Sequence, residues 1–345
     1  MQKEELQIFA ALDKLLWQRG LSVMKKYDVI ALGELLIDFI GNGISGQGNP
    51  LFEANPGGAV CNVLAMLNRL GHRTGFVGKV GEDIFGNQLK EVLEGIGIDT
   101  SGLLMDKEVR TTLAFVANDA SGERSFSFYR NPGADMMLRA EEISEDMIKD
   151  AEVFHFGTLS MTHESVREAT KKALDIAKKN HLLISFDPNL RESLWDTLDN
   201  AKQQVDYGLR FCDVLKISDN EIRWFTGEED FDEGIRILQD RFHIPMILLS
   251  MGKDGSRVYY RDMRVEIPGF IQENTIETTG AGDTFMGSCL HFVLKKGLDR
   301  FAENDLREML TFANAAASII TTRKGALKVM PTPEEVFELI SSRQN

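Results

Sequence analysis

From residue 151 onward the chain alternates between short apolar runs and longer segments with helical spacing. That alternation limits the possible folds more than any other feature. The runs "VFHFG", "LLISFD", "VLKIS" and "MILLSMG" read as strands, and residues 164–180 and 301–322 as helices. Strands this uniformly apolar are buried on both faces. Alternating with helices, they call for a mostly parallel sheet with helices on both sides. The chain opens in the same style. Residues 27–40, "YDVIALGELLIDFI", read as a buried strand, a break at Gly33-Glu34 and a second extended piece. Residues 58–70 follow as a helix stopped by Gly71, then the strand "TGFVGKVG" and the helix "IFGNQLKEVLEGIG", again closed by a glycine.

Two segments break the rhythm. In residues 110–130, Thr112, Ala114 and Val116 alternate, a turn follows at Asp119-Ala120-Ser121-Gly122, and Phe126 and Phe128 alternate after it. That pattern spells a β-hairpin. Residues 39–56 are extended and rich in glycine, so the two segments together predict a small β lid outside the main sheet. Within them "GNGISG" (41–46) matches the dinucleotide fingerprint G-x-G-x-x-G. The mechanism of that fingerprint needs a helix to open at the glycines, and "QGNPLFEAN" has no helical period. The stretch therefore reads as a loop, and a dehydrogenase would rest on it alone.

A net charge of −14 over 345 residues sets the surface against nucleic acid and anionic lipid, so an anionic ligand needs a locally positive site. Cys61, Cys212 and Cys289 are far apart and form no CxxC pair, which fits buried thiols in a reducing cytoplasm. Residues 1–26 read as an N-terminal extension. Glu4, Glu5 and Asp13 argue against a signal peptide or a membrane span, and Leu6, Phe9, Ala10, Asp13, Leu16 and Trp17 have the spacing of a short helix.

"ETTGAGDTFMG" (277–287) carries the chemistry. Extended segments precede it and helical spacing begins at Thr284, so the glycines sit just before a helix. Free amides of Gly280, Ala281, Gly282 and Asp283, together with the helix dipole, would form an anion hole. A carboxylate directly behind such a hole needs a task. Phosphoryl transfer supplies one, because a hydroxyl must be aimed at phosphorus and must lose its proton. Capping of the helix by Asp283 is the ordinary alternative on spacing alone.

The segment resembles the C-terminal signature of the ribokinase-like (PfkB) sugar kinases, and "PGGAVCNVLAMLNRLG" with "FVGKVGEDIFG" (56–86) resembles the N-terminal one. "GELLIDF", "YRNPGADMML", "FDPNLRESLW", "LKISDNEIRWFTG" and "FANAAASIITTRKGA" are similar to bacterial and plant fructokinases in particular. The likeness implies a ribokinase-like three-layer α/β fold over residues 27–340, with lid segments at about 39–56 and 109–130. It also implies transfer of phosphate from ATP with Mg²⁺ to an unphosphorylated hexose, fructose first. Another sugar (2-keto-3-deoxygluconate, ribose, tagatose 6-phosphate), a nucleoside, or a non-catalytic sugar sensor on the same fold are the alternatives.

On the sugar side the resemblance points to Asp38, at the end of the first strand, with Gly57, Gly58 and Asn62. Arg191 would touch the transferred phosphates, and Arg130 would reach the sugar from the lid edge. On the nucleotide side it points to Ser218, Ser250, Gly252, Gly255 and Asn314, with Glu221 holding Mg²⁺ through water. Glu277 stands where relatives have aspartate. With Thr279 it marks a candidate monovalent cation site, which leaves activation by K⁺ open. An exposed lid edge would pair with a second copy to give a homodimer.

Overall fold

The computed structural model describes residues 25–118 and 124–343. The helix expected near residues 6–17 and the hairpin turn at 119–122 lie outside them. The strands, in chain order, are β1 (Tyr27–Leu32), β2 (Leu36–Ile44), β3 (Pro50–Gly57), β4 (Thr74–Gly81), β5 (Asp99–Asp106), β6 (Leu113–Asn118), β7 (Arg124–Tyr129), β8 (Ala151–Gly157), β9 (Leu183–Asp187), β10 (Val214–Ser218), β11 (Met246–Ser250), β12 (Ser256–Tyr260) and β13 (Met263–Ile267). Nine of them form one sheet in the order β13-β12-β11-β10-β9-β8-β1-β4-β5. Every pair from β11 to β5 is parallel, and only the β12–β13 margin is antiparallel.

Alternate residues of each central strand enter opposite cores. Val29, Ala31, Val214, Met246 and Leu248 pack with helices Ala59–Arg69, Ala281–Lys296 and Glu303–Ile320. Ile30, Leu32, Leu215, Ile217, Ile247 and Leu249 pack with helices Glu164–Lys179, Leu198–Leu209 and Phe231–Phe242. This is the three-layer arrangement that unbroken apolar strands predict. The edge strand β5 has no counterpart in the sequence reading, because "DTSGLLMD" is only half buried and shows no clear alternation. Among the described residues, no helix is long and apolar enough to cross a membrane.

The remaining four strands form a second sheet, β3-β2-β6-β7, in which two hairpins join through the parallel pair β2–β6. The stretch 41–46, expected as a loop, is a correction. Strand β2 runs through Ile44, with a bulge after Gly41, and the chain turns at Ser45 to Asn49. No helix opens there, so the geometry of a dinucleotide fingerprint is missing. Asp38 is likewise on β2 of this second sheet, not at the end of β1.

Beneath the sheet, far from the lid, His72 Nε2 and His291 Nδ1 lie 2.8 Å apart, and His72 Nδ1 lies 3.6 Å from Asp28 Oδ2. One imidazole must donate and the other accept, so the contact needs a neutral ring. Burial, with the Lys295 charge and His72 adding, pushes His291 from 6.5 down to about 4. Burial also lowers His72, although Asp28 opposes it. Below pH 6.5 the unfolded chain takes up a proton that folded His291 refuses until about pH 4. Stability should therefore fall as pH drops through that window, by on the order of 1 kcal/mol after allowing for solvent screening. Thermal melts across that range check this, and His291→Gln should flatten the slope.

Candidate active site

Strand β1 has β4 on one side and β8 on the other, so the chain reverses direction of growth at its carboxyl end. Ligands of open α/β sheets collect at such a switch point. Helix Ala59–Arg69 begins beside it. Its N-cap, Gly58, has φ 138, and a Cβ there would run into the Glu34 carbonyl. The buried Glu34 side chain closes the helix start instead, its Oε1 accepting from Ala59 N at 2.6 Å. One turn on, Asn62 Nδ2 donates to Asp283 Oδ2 at 2.8 Å.

Asp283 is the third residue of helix Ala281–Lys296, which starts from Gly280 in the left-handed region at φ 77. No side chain caps this helix start. The Asp283 carboxylate is turned to Asn62, so the ordinary capping alternative does not describe it. The amide of Ala281 bonds to Thr278 O at 3.3 Å, which takes it out of the expected anion hole. Gly282 and Asp283, in the first turn, have no carbonyl one turn earlier within the helix to bond.

Two cavities meet at this turn. One, of about 290 Å³, is lined on the lid side by Leu36, Asp38, Ile40, Val116 and Phe128. Across from them stand Gly58, Asn62, Arg191, Thr279, Gly280 and Asp283. The other, of about 330 Å³, is lined by Ser250, Gly252, Gly255, Phe270, Ala317 and Asn314 among others. Thr278 and Gly282 border both. The larger one is the more apolar. Asn314 is fixed in its wall, donating to Ile267 O and accepting from Ser256 Oγ.

Most residues expected from the sequence border one cavity or the other. Gly57 acts one step removed: a Cβ there would overlap Asp38 Oδ2. Gly57→Ala should therefore displace the Asp38 carboxylate and raise the KM of the substrate held in the lid-side cavity by roughly tenfold with kcat less affected, which steady-state kinetics would read. Arg130 requires correction. It is buried and pairs with Asp135, its Nη1 donates to Thr162 Oγ1 at 2.9 Å and its Nη2 to Leu159 O at 3.0 Å. Those bonds anchor the guanidinium behind the cavity wall, not at the lid edge. Ser218 also plays a different part from the one expected. It caps helix Asp219–Thr226, and its amide and hydroxyl donate to Glu221 Oε2 at 2.8 and 2.7 Å.

Glu221 is thereby held at both oxygens, since Oε1 accepts from Leu190 N at 2.8 Å. Burial would raise its pKa, but the Lys216 ammonium and these donors outweigh burial and hold it below the usual range. Glu277 Oε1 accepts from Gly325 N at 2.8 Å. Asp38 is pushed up to about 7 by burial, with Glu277 and Asp283 adding and Arg191 opposing. Asp283 is raised by burial as well, against the Asn62 bond and the charges of Lys216 and Arg191.

Lys216 and Asp187 were not singled out from the sequence. Lys216 is buried in the middle of β10 and lines the lid-side cavity, its Nζ 3.0 Å from Asp187 Oδ2. Burial would lower its pKa, but Asp187, Glu221 and Asp283 outweigh that and keep it charged. Next to it His155 is pushed down to about 3 by burial and by the Lys216 charge, so this imidazole is neutral. The signal was a lysine inside the apolar run "VLKIS", which solvent cannot explain.

A lidded polar cavity joined to a base-sized slot through an uncapped helix start, with a carboxylate at the junction, defines a small-molecule phosphotransferase of ribokinase-like fold. A family model described as pfkB family carbohydrate kinase matches residues 26–333. This chain belongs to that family. It is 40% identical over 314 residues to fructokinase-1 of Zea mays, covering 90% of this chain and 97% of the relative. Among solved structures it is similar to a fructokinase with bound ATP from Xylella fastidiosa, with a TM-score of 0.84, 30% identity, and coverage of 92% of this chain and 100% of the other. A fructokinase double mutant from Vibrio cholerae O395 with fructose, ADP and potassium ion bound superimposes with a TM-score of 0.83 at 28% identity, covering 92% and 99%.

Proposed function

We propose that the chain transfers the γ-phosphoryl group of ATP to the 6-hydroxyl of fructose, giving fructose 6-phosphate and ADP. The meeting of two cavities at Thr278 and Gly282, with Asp283 facing the lid side, carries this reading. Identity near 40% to a plant fructokinase over nearly the whole chain supports fructose as the acceptor.

In this reading Asp38 accepts two sugar hydroxyls, and Gly58 and Asn62 border the ring. Asp283 orients the 6-hydroxyl and takes its proton as the oxygen bonds to phosphorus. The bond from phosphorus to the bridging oxygen breaks, and its electron pair leaves with ADP. The transition state is loose, so orientation comes first and the proton moves late. The amides of Gly280, Gly282 and Asp283, and the Arg191 guanidinium, complement the charge spreading over the phosphoryl oxygens. Ser250, Gly252, Gly255 and Asn314 shape the nucleotide slot.

The residues fit a magnesium ion held chiefly by nucleotide phosphates and water. Among the described residues no cluster of three ligating side chains exists, and both Glu221 oxygens are already engaged by donors. Mg²⁺ so bound would neutralise the phosphates, and Glu221 would orient its waters. For K⁺, Glu277 and Thr279 are the candidate neighbours. Gly325 N already engages Glu277 Oε1. Exchange of KCl for NaCl reads the contribution.

The same reading assigns residues 27–340 to one kinase domain, residues 39–56 and 109–130 to its lid, and residues 1–26 to an extension. Closure of the lid over the sugar would exclude water as an acceptor. The outer face of the lid carries Phe39, Phe52, Phe115 and Tyr129 in ring contact, with Phe52 and Tyr129 exposed, and β3 and β7 are its edge strands among the described residues. We assign this surface to a homodimer, which a concentration-independent monomer in light scattering would refute. Three buried free thiols fit a cytoplasmic location.

ADP release with ATP and Mg²⁺ tests the substrate over fructose, ribose, 2-keto-3-deoxygluconate, tagatose 6-phosphate and adenosine. The highest kcat/KM is expected with fructose. Turnover confined to another acceptor refutes it, and sugar binding without turnover would indicate a sensor.

A further inference from the structure

We infer that Glu34 is a positioning residue for Asp283: it closes the start of helix Ala59–Arg69 and so fixes the Asn62 amide that holds the base. The inference rests on the kinase reading above and adds a residue to it. Glu34 stands between β1 and β2 at the switch point, and only 3% of it is exposed. Helix Ala59–Arg69 cannot close its own start, because Gly58 has no side chain to offer. A Cβ at 58 would lie 2.3 Å from Glu34 O, so serine, threonine, aspartate and asparagine are all barred there. Other helices of the chain start on such a residue, among them Asp83, Thr197, Asp230 and Thr332. Here the acceptor comes instead from 25 positions away, as Glu34 Oε1 takes the Ala59 amide at 2.6 Å. Burial pushes this carboxyl up to about 7, against its own amide and that of Ala59, with Asp135 adding and Arg130 opposing. A carboxylate is a costly cap in such a place, and stability alone gives no reason for it.

What the cap holds gives the reason. Asn62 N bonds to Gly58 O at 2.9 Å in the first turn after the cap, and Asn62 Nδ2 reaches Asp283 Oδ2 at 2.8 Å. The other end of that amide, Oδ1, is buried and accepts no hydrogen bond from any described residue. An amide tied at one end takes its direction from its backbone, and that backbone hangs from the capped turn. The same turn carries Gly57, whose missing Cβ leaves room for the Asp38 carboxylate. Glu34 borders the lid-side cavity among these groups. It also borders a far smaller cavity shared with His155, Asp187, Asn189 and Asp283. Loss of the cap would leave the Ala59 amide without its acceptor and release Asn62 from its aim. Displacement of a reacting group by about 1 Å can cost about 10²-fold in rate.

The test is a double-variant cycle with Asn62→Ala. Glu34→Met keeps the volume and removes the acceptor, whereas Glu34→Gln keeps an oxygen for the Ala59 amide. Glu34→Met should lower kcat about 10–100-fold with the ATP KM within about threefold, and Glu34→Gln should stay within about fivefold of wild type. On the Asn62→Ala background Glu34→Met should cost less than about threefold more, because both changes release the same group. The pH profile supplies a second reading. Burial raises Asp283, and the Asn62 bond, with Lys216 on β10 and Arg191 in the loop after β9, opposes it. Asp38 on β2 and Asp187 at the end of β9 are the carboxylates that feel its charge. Glu34→Met should therefore move the acidic limb of kcat upward as Asn62→Ala does, and the double variant should move it no further. Full additivity in the cycle, or an unmoved limb, would overturn the inference, as would a Glu34→Gln as slow as Glu34→Met. The cycle uses whichever acceptor the wild type turns over, so failure on fructose refutes the substrate reading alone. If Glu34→Met does not fold, or no acceptor turns over, a crystal structure of the wild type with fructose and ADP decides. Glu34 Oε1 should stay within about 3.2 Å of Ala59 N, and Asn62 Nδ2 equally close to Asp283, whereas a Glu34 carboxyl turned onto the sugar overturns the inference.

Discussion

Asp283→Asn is expected to lower kcat with fructose by about 10²–10⁴ while leaving the KM for fructose within a few-fold. The substitution keeps the shape of the side chain and removes its ability to take a proton. Asn62 Nδ2 now donates to Asp283 Oδ2, and an amide carbonyl can accept the same bond, so the helix start should keep its place. A loss larger than that from Asn62→Ala would separate proton acceptance from mere packing. Since burial raises the Asp283 pKa, the acidic limb of the wild-type kcat profile should lie above the ordinary carboxylate value of 3.8 and should vanish from the residual rate of the variant. Steady-state assays of both proteins across pH read this directly.

Asp38→Ala is expected to act on the other parameter, raising the fructose KM roughly 100-fold or more. Two charge-assisted hydrogen bonds to sugar hydroxyls are lost, at about 1.5–3 kcal/mol each before partial replacement by water. Without sugar the Asp38 carboxyl is pushed up to about 7 by burial, against Arg191 and with Glu277 and Asp283 adding to it. Only the ionised form accepts from two hydroxyls, so fructose should bind more weakly as pH falls through 7, and kcat/KM should fall with it. Asp38→Asn should lose that limb. A variant with unchanged KM and an unchanged limb would place the sugar elsewhere.

The main sheet was legible because its strands are buried on both sides and announce themselves as unbroken apolar runs; Val29 and Ile30, or Leu248 and Leu249, serve opposite cores. The glycine turn was legible for a different reason. Gly280 is left-handed at φ 77, and the helix behind it begins at Ala281, three residues before the helical spacing read from the sequence at Thr284. The second sheet was half legible. Its hairpin alternates, but β2 carries Gly41 and Gly43 and bulges after Gly41, so the letters of a dinucleotide fingerprint masked a strand.

Individual side chains divided along similar lines. Asp283 and Asn62 lie 221 positions apart in sequence, and spacing alone could not pair them. Arg130 follows the predicted hairpin and looked like a lid-edge cation. What committed it to Asp135 was the turn back at 131–134, which brings the carboxylate beneath it. Ser218 caps its helix and dresses Glu221, a role visible in the serine-to-glutamate spacing of a capping box once the helix start is known. Lys216 escaped because "VLKIS" reads as one more apolar strand, whereas in the fold the lysine is a buried charge facing the junction.

Asp283 must face the 6-hydroxyl of fructose for this chemistry to hold. Phosphorus NMR of the product formed from fructose and ATP answers that. The reading predicts one phosphomonoester signal correlated with the C6 methylene protons of fructose, formed by the wild-type protein and reduced at least about 100-fold in rate by Asp283→Asn. A signal correlated with C1, or inorganic phosphate alone, would contradict it.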